Sequence, residues 1–437
     1  MIEFCIAIFC IGLMWISSRI CSRFSPAQMF TWIWCALIFF VTVVLYNRVK
    51  LGYEGLIFIL FGCAFMMCGE IVGKLVLKKT TKNTKLLIKR PNTKQMKLFI
   101  IAFLSLAIMY PFYMIAINGF DVTSLWSFET LLELNNDMTE ERYSGGSQTT
   151  VANQILLVFC YIAPLYGGYC YRLIEGKFKV FCLATILPAA IVALTQAVKL
   201  GLITSAFMFI IGILLSSESN RLSLKISKTT LLKLGMSSAL FIGILVLSIA
   251  FRFSDVGVDL LPILSEKFIN YAIGSVPCFD NWYTDNTVSF SDLHGGTRTF
   301  MGISNILGLE HRVQGLYSEF LFWGKNGIDS SSNVYSSFRA LVDDFGTIGS
   351  MLYLFLLGFF SCLCKIVISS HRKAWLAEVI LGCIYAYVMW SFATSFFTYL
   401  SYIASFILLL FILPQTYSIK NIKSANKRYV TYSTPAV

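Results

Sequence analysis

Residues 294–300, with the sequence HGGTRTF, hold the side chains of this chain that are best suited to chemistry. Gly295 and Gly296 allow the backbone to approach a ligand closely, and Arg298 adds a permanent planar charge that suits phosphate oxygens. His294 is a candidate general base. A tight turn with solvated charges explains the same residues without a ligand, so the sequence leaves both interpretations open.

Three further basic residues are candidates to join Arg298 at one anion. Arg252 and Arg339 lie near the ends of the apolar runs that flank residues 252–344, and Lys199 lies in a very short turn between two apolar runs. Four cations that converge would form a strong phosphate site. Each cation alone is also explained as an interfacial side chain that extends toward the lipid head groups. Only the convergence of the four would indicate an anion site.

Acidic and aromatic residues in the same part of the chain have more than one interpretation. Asp343 and Asp344 precede an apolar run, where carboxylates commonly cap the free amides of a helix. Asp344 is also a candidate base for an acceptor hydroxyl. Trp282 and Trp323 are candidates for stacking on sugar rings, because they lie well away from the predicted span ends, whereas anchoring at the membrane interface is the alternative for aromatic residues here.

The sequence offers no evident metal centre. Neither long polar segment has an Asp-x-Asp or Asp-Glu arrangement near a span end that would hold a divalent cation. Three histidines are too few and too scattered for a zinc site, and nearly all of the 13 cysteines lie in or beside apolar runs. We therefore expect neither a bound metal nor another cofactor.

The elements that must position these side chains are membrane helices. Hydrophobic residues make up 57% of the 437-residue chain, charged residues make up 13%, and the mean hydropathy is +0.72. This composition is far more apolar than that of a soluble protein of the same size. Spans are predicted at residues 2–16, 28–46, 54–73, 98–117, 151–170, 180–198, 200–215, 234–251 and 345–368, and twice within 376–414. Because lipid offers the backbone no hydrogen-bond partners, we predict an all-α polytopic membrane protein with about 11 transmembrane helices.

Charge sorts the loops into two sides. Residues 74–97 contain nine lysines or arginines and no acid, whereas residues 118–150 contain six acids and one arginine. The positive-inside rule places the first segment in the cytoplasm and the second outside, and parity then places residues 252–344 outside and the C-terminus in the cytoplasm. We predict one membrane domain over residues 1–437, with a first external loop at 118–150 and a large external loop at 252–344 that covers the active site. Since the basic residues of this chain, whose net charge is +12, are sorted by loop, we do not expect nucleic acid as a partner.

The layout, together with residues 295–308 (GGTRTFMGISNILG) and 338–349 (FRALVDDFGTIG), resembles the bacterial oligosaccharide repeat-unit polymerases, the Wzy-type O-antigen polymerases. The resemblance in layout covers nearly the whole chain. It implies a GT-C-like, inverting glycosyltransferase of the inner membrane that works on the periplasmic side without a nucleotide sugar or required metal. Its substrates would be undecaprenyl-diphosphate-linked oligosaccharides in the lipid bilayer, and a chain-length regulator and a flippase would be its partner proteins.

The resemblance also implies roles for the candidate residues. The growing chain would leave its lipid diphosphate and join a hydroxyl on the non-reducing-end sugar of a new unit. Arg298 and Arg339 would stabilise the charge that grows on the diphosphate, and His294 or Asp344 would deprotonate the acceptor. Arg252 and Lys199 would contribute further charge. The family usually has arginine at the short turn where this chain has Lys199, and lysine cannot bind phosphate in the bidentate geometry of arginine.

Two alternatives to a polymerase follow from the sequence. An O-antigen ligase shares the architecture and the donor but transfers the glycan to a lipid A core. A flippase for the same lipid-linked unit would move it without breaking bonds, and we expect such a protein to keep charged residues inside its spans. The apolar runs are nearly free of charge, with Glu70 and Glu378 near predicted span ends, which favours a polymerase.

Overall fold

The computed structural model describes residues 1–77, 90–144, 150–196, 199–222, 269–286, 292–310, 319–326, 330–370 and 373–418, together with residues 242, 243, 246, 266 and 317. The structure is 79% helical, which agrees with the predicted all-α class. The predicted site residue Arg252 lies outside the described residues.

The described helices form most of the architecture. They are α1 Ile2–Ile20, α2 Pro26–Phe39, α3 Glu54–Leu77, α4 Thr93–Ile117, α5 Phe128–Ser144, α6 Val151–Tyr171, α7 Lys179–Ala184, α8 Leu187–Gln196, α9 Lys199–Asn220, α10 Ser275–Asp285, α11 Met301–Ile306, α12 Ser336–Ser370, α13 Trp375–Trp390 and α14 Leu400–Thr416. A π-helical turn, Phe40–Val44, extends α2, and short 3-10 turns occur at Val122–Trp126, Gly176–Phe178 and Phe396–Thr398. The strands are β1 Arg90–Pro91, β2 Leu321–Phe322, β3 Ser331–Ser332 and β4 Tyr417–Ser418, and they pair antiparallel as β1 with β4 and β2 with β3.

The multi-pass membrane character predicted from the sequence is confirmed. Among the described residues, eight segments are long and apolar enough to cross a membrane: Ile2–Ile20, Pro26–Val44, Glu54–Val76, Thr93–Ile117, Val151–Tyr171, Gly176–Gln196, Lys199–Asn220 and Ser336–Ser370. α13 and α14 are apolar but shorter, with 16 and 17 residues. The predicted span at 234–251 falls almost entirely outside the described residues, so the total of about 11 stays a prediction.

Glycines bring α3 and the long helix α12 into direct backbone contact. A Cβ atom at Gly69 would lie 2.0 Å from the carbonyl oxygen of Phe355, and one at Gly358 would lie 2.0 Å from that of Met66. Small residues that let backbones approach in this way are typical of membrane helix pairs. The contact fixes α12 against α3. It thereby fixes the position of the N-terminal end of α12, residues 336–345, which we call its outer end.

α12 changes direction at Gly346, which has a φ of 65° and a ψ of −176°. The left-handed φ suits glycine because it has no Cβ. The bend separates a polar outer portion, residues 336–345, from the apolar remainder. The sequence led us to place Asp343 and Asp344 in a loop before a helix, and this boundary was wrong, because both residues already lie within α12.

Asp280 of α10 joins the outer segment to α3. Its buried carboxylate accepts hydrogen bonds from the backbone amides of Gly52 (2.8 Å), Tyr53 (3.0 Å) and Leu56 (3.1 Å) at the start of α3. These amides have no partner within the helix, and the positive end of the helix dipole favours a carboxylate there. Burial raises the pKa of Asp280, while the hydrogen bonds from the amides oppose this rise. These hydrogen bonds therefore hold α10 against the start of α3.

Candidate active site

Arg339 lies in an aromatic cage at the outer end of α12. Its guanidinium carbon is 3.8 Å from the ring centroid of Tyr317, 4.1 Å from that of Tyr335 and 4.9 Å from that of Trp282. The side chain is only 8% exposed. The face of an aromatic ring attracts a cation, and the attraction grows when water is excluded. The cage therefore stabilises a permanent charge that is largely removed from solvent.

Two carboxylates face the Arg339 guanidinium. Its Nη2 donates to Glu319 Oε2 at 3.0 Å, and its Nε lies 3.8 Å from Asp343 Oδ2. The Tyr317 hydroxyl donates to the same Asp343 oxygen at 2.7 Å, and burial raises the pKa of Tyr317 well above its usual value, which keeps this donor protonated. Arg339 Nε and Nη1 have no hydrogen-bond partner among the described residues. Buried donors without acceptors are costly, so the guanidinium retains capacity for a ligand oxygen.

Asp344 fixes the loop of residues 294–300 against α12. Its carboxylate oxygens accept hydrogen bonds from the backbone amides of Arg298, at 3.0 Å, and Thr299. The His294 amide adds a hydrogen bond of 3.0 Å to the carbonyl of Asp343. The predicted capping of the following helix is therefore wrong for Asp344, because the amides that it accepts belong to the loop. Because Asp344 is 1% exposed and both of its carboxylate oxygens are engaged, its geometry fits a positioning role.

The two glycines of the loop form a tight turn. Gly295 and Gly296 have φ values of 61° and 101°, which other residues adopt only with strain. The turn directs two cationic or basic side chains to one carboxylate, since Glu310 Oε1 lies 3.7 Å from Arg298 Nη2 and 3.8 Å from His294 Nδ1. His294 is 40% exposed and Arg298 is partly exposed, so solvent and a ligand can reach both.

Glu310 is the site residue that sequence reasoning missed. It follows a short helix and an apolar stretch, and no motif distinguishes it from a solvated acid. The pairing of Glu319 with Arg339 is likewise not evident from the sequence. The signal that points to both residues is general: a partly buried arginine needs a carboxylate partner, and Glu310 and Glu319 are acids of the same segment as Arg298 and Arg339.

Of the predicted site residues that the structure describes, all but Lys199 and Trp323 lie around Asp343 and Asp344. Lys199 lies 5.2 Å from the ring centroid of Tyr271, a contact that does not by itself place it in this cluster. Trp323 is 1% exposed, so neither face of its ring is open to a sugar. Trp282 is also buried, and its ring stacks on the Arg339 guanidinium. Both placements argue against the sugar-stacking role predicted for these tryptophans.

The cluster is acidic, which differs from the expected convergence of cations. Among the described residues, its charged side chains are Arg298, Arg339, Glu310, Glu319, Asp343 and Asp344. Each arginine is paired with at least one carboxylate. Asp343 and Asp344 are held by a tyrosine hydroxyl and by loop amides, whereas Glu310 and Glu319 are more exposed. In the described part of the chain, no group of three or more His, Cys, Asp or Glu residues could hold a metal ion.

Two further carboxylates are buried at the other end of the helical bundle. Glu70 in α3 lies 2.8 Å from Lys74 Nζ in the same helix, and it accepts hydrogen bonds from the Ser22 amide (2.7 Å) and the Ser25 hydroxyl (2.5 Å) between α1 and α2. Glu378 in α13 accepts hydrogen bonds from the hydroxyls of Tyr169 (3.0 Å) and Ser219 (2.9 Å). Ion pairs and hydrogen bonds of this kind stabilise buried charge, so both residues connect neighbouring segments.

Comparison with known proteins identifies no relative. No protein-family model, no curated protein and no solved structure matches the chain. The functional inference is therefore based on the geometry of this chain and on the resemblance drawn from its sequence.

Proposed function

We propose that this protein is an inverting, metal-independent glycosyltransferase of the bacterial inner membrane. It polymerises undecaprenyl-diphosphate-linked oligosaccharide repeat units into O-antigen or a related surface polysaccharide. The observation that carries the proposal is Arg339, a shielded permanent cation on the outer end of a membrane helix. Two of its nitrogens lack hydrogen-bond partners among the described residues. A phosphate oxygen bound there would satisfy these donors.

The proposed reaction needs a site that stabilises a departing diphosphate. The acceptor hydroxyl oxygen attacks the donor anomeric carbon, the bond from that carbon to the diphosphate oxygen breaks, and the diphosphate takes the electron pair. Arg339 interacts more strongly with the diphosphate as its negative charge grows, and this difference lowers the barrier. Arg298, on the adjoining loop, supplies a second cation. The prenyl tail of such a donor lies in the bilayer, which is consistent with a site on the end of a membrane helix.

His294 is the base that this proposal favours. The acceptor hydroxyl must give its proton to a group that can reach it, and the His294 imidazole is exposed. Glu310 lies beside Nδ1, which leaves Nε2 to accept the proton and allows the carboxylate to stabilise the resulting imidazolium. Asp344, the other candidate, has both of its carboxylate oxygens engaged by loop amides. We therefore assign Asp344 the role of positioning the loop.

A flippase for the same lipid-linked unit is the second candidate. The observation in its favour is the burial of Glu70 and Glu378 inside the bundle, because ionisable residues within membrane spans often line transport paths. The contacts of these carboxylates with Ser22, Tyr169 and Ser219 explain them as links between segments. The polymerase is better supported, since it also uses the polar cluster on the outer end of α12.

The test is to delete the gene in its host and to examine the surface glycan by gel. The deletion strain then receives the wild-type gene, Arg339→Ala or the control Glu218→Gln. Glu218 pairs with Lys365 at 2.7 Å on the far end of α12, so the control removes an ion pair away from the site. We expect a core with a single repeat unit in the deletion strain and with Arg339→Ala, and a full ladder with wild type and the control.

Other outcomes would reject the polymerase. Loss of all surface repeats, with polymer accumulating on the lipid carrier, would indicate a ligase. Unpolymerised units trapped inside the cell would indicate a flippase. Antibody detection of each variant in the membrane fraction separates loss of activity from loss of the protein.

A further inference from the structure

An anionic ligand at Arg339 meets an unfavourable charge balance in the structure. The guanidinium already faces Glu319 at 3.0 Å and Asp343 at 3.8 Å, so one positive charge stands against two carboxylates. Like charges at such separations repel, and the repulsion is stronger where water is partly excluded. A phosphate group can bind tightly only if one carboxylate withdraws from the guanidinium.

Glu319 is the carboxylate that can withdraw. Its side chain is 67% exposed, so it loses little when it exchanges the arginine for water. Asp343 is more buried, and it accepts the hydrogen bond of the Tyr317 hydroxyl at 2.7 Å. Withdrawal of Asp343 would leave this hydroxyl without its acceptor, which carries a larger free-energy cost.

The backbone at Glu319 is held in place while its side chain is in solvent. The Tyr335 hydroxyl donates to the Glu319 carbonyl oxygen at 3.1 Å. Two residues later, strand β2 begins and pairs with β3 through Leu321 and Ser332. Rotation about the side-chain bonds of Glu319 is therefore enough to move its carboxylate away from Arg339. No rearrangement of the strand is needed.

We propose that Glu319 is a built-in competitor for the Arg339 anion site. Its carboxylate occupies one edge of the guanidinium, and a phosphate or diphosphate group exchanges with it. Carboxylate and phosphate oxygens accept the same donors of the guanidinium fork, which allows one to replace the other. The identity of the natural ligand as a lipid diphosphate rests on the proposed function, whereas the exchange itself does not.

Competition from within the chain also raises the affinity that a ligand needs in order to bind. A carboxylate attached to the protein has a high effective concentration at the arginine, so a ligand must bind strongly to displace it. A diphosphate has several charged oxygens, so it offers the guanidinium more acceptors than one carboxylate does. Singly charged anions with one acceptor group have no such advantage. At a given concentration, weakly binding anions therefore leave Glu319 in place.

The experiment measures binding of inorganic pyrophosphate to the purified full-length protein in detergent by titration calorimetry. Glu319→Gln keeps the shape and an acceptor oxygen but removes the charge, so we expect about three- to tenfold tighter binding. Arg339→Ala should abolish binding, and Arg339→Lys, which keeps the charge without the fork, should weaken it. The matched control is Glu218→Gln, which removes the negative charge that pairs with Lys365. This change should leave the affinity for pyrophosphate unchanged.

Equal affinities of the wild type and Glu319→Gln would overturn the proposal. An equal gain with Glu218→Gln would also overturn it, because the effect would then arise from total charge. Binding that survives in both Arg339 variants would show that the anion is held elsewhere. The glycan gel reports separately on the proposed function, so tighter binding by Glu319→Gln in a protein that does not act as a polymerase would support the exchange and reject only the polymerase.

Discussion

Replacing Asp344 with asparagine tests whether this residue positions the loop of residues 294–300. The carboxylate accepts hydrogen bonds from the amides of Arg298 and Thr299. Asparagine provides only one acceptor oxygen, and its NH2 group would face an amide that is itself a donor. One charge-assisted hydrogen bond is lost and a buried amide is left without an acceptor, which together should destabilise the closed loop by about 2–3 kcal/mol. The open state should then be populated roughly 30- to 140-fold more often.

The assay uses a cysteine at a position that is accessible only when the loop opens. Thr299 is fully buried, and cysteine is close to it in size, so Thr299→Cys is a suitable probe. A water-soluble maleimide should label this cysteine slowly when Asp344 is present and much faster with Asp344→Asn. Labelling of the native cysteines is measured in protein without the probe and subtracted. Glu218→Gln in the probe background is the matched control and should leave the rate unchanged.

A change in labelling rate of less than about threefold would refute the positioning role, since it would mean that the two hydrogen bonds contribute almost nothing to loop closure. Loss of polymer in Asp344→Asn without faster labelling would instead support a direct role of the carboxylate in proton transfer. Faster labelling together with loss of polymer agrees with the structure, in which Asp344 acts through the loop.

Three further predictions follow from the contacts described above. Arg298→Ala and Arg339→Ala should each abolish polymer while the protein stays in the membrane; normal glycan ladders from both variants would contradict the proposed phosphate site. Gly358→Ala should lower the thermal unfolding temperature in detergent, because its Cβ would lie 2.0 Å from a carbonyl oxygen of α3, whereas Gly12→Ala, with no atom within 4 Å of its Cβ, should have little effect. Burial raises the pKa of the Cys278 thiol to about 12, so this thiol should stay protonated and unlabelled by maleimide at pH 8 and react only after unfolding; mass spectrometry of labelled peptides measures this.

The sequence predicted the membrane helices well, because the thickness of the bilayer sets the length of an apolar run. It failed at the outer end of α12. Residues 336–345 mix serine, arginine and aspartate with apolar residues, so a hydropathy argument assigns them to a loop. The helix there is stabilised by packing that involves segments distant in sequence, including the contact of Ser337 with Ser391. Such tertiary support has no local signal.

The candidate site was predicted by residue type but not by charge balance. Arg298, Arg339 and His294 carry side chains whose chemistry is evident from the sequence. Their partners Glu310 and Glu319 are not evident, because pairing between distant positions depends on how the chain folds. The aromatic cage is likewise not evident from the sequence, because Tyr317 and Trp282 are brought to Arg339 by the packing of α10 against α3.

The cap that Asp280 provides for α3 also sets an order for biogenesis. The amide of Gly52 and the carboxylate that caps it are 228 residues apart in the chain. At a synthesis rate of about 5–20 residues per second, α3 waits roughly 10–45 s before its partner has been made. During that time the start of α3 depends on water or lipid head groups for its free amides. The start of α3 therefore reaches its final structure late, after residues around 280 have been delivered to the same side of the membrane. A truncated chain that ends before α10 should insert α3 into the membrane but leave its first amides without the Asp280 cap.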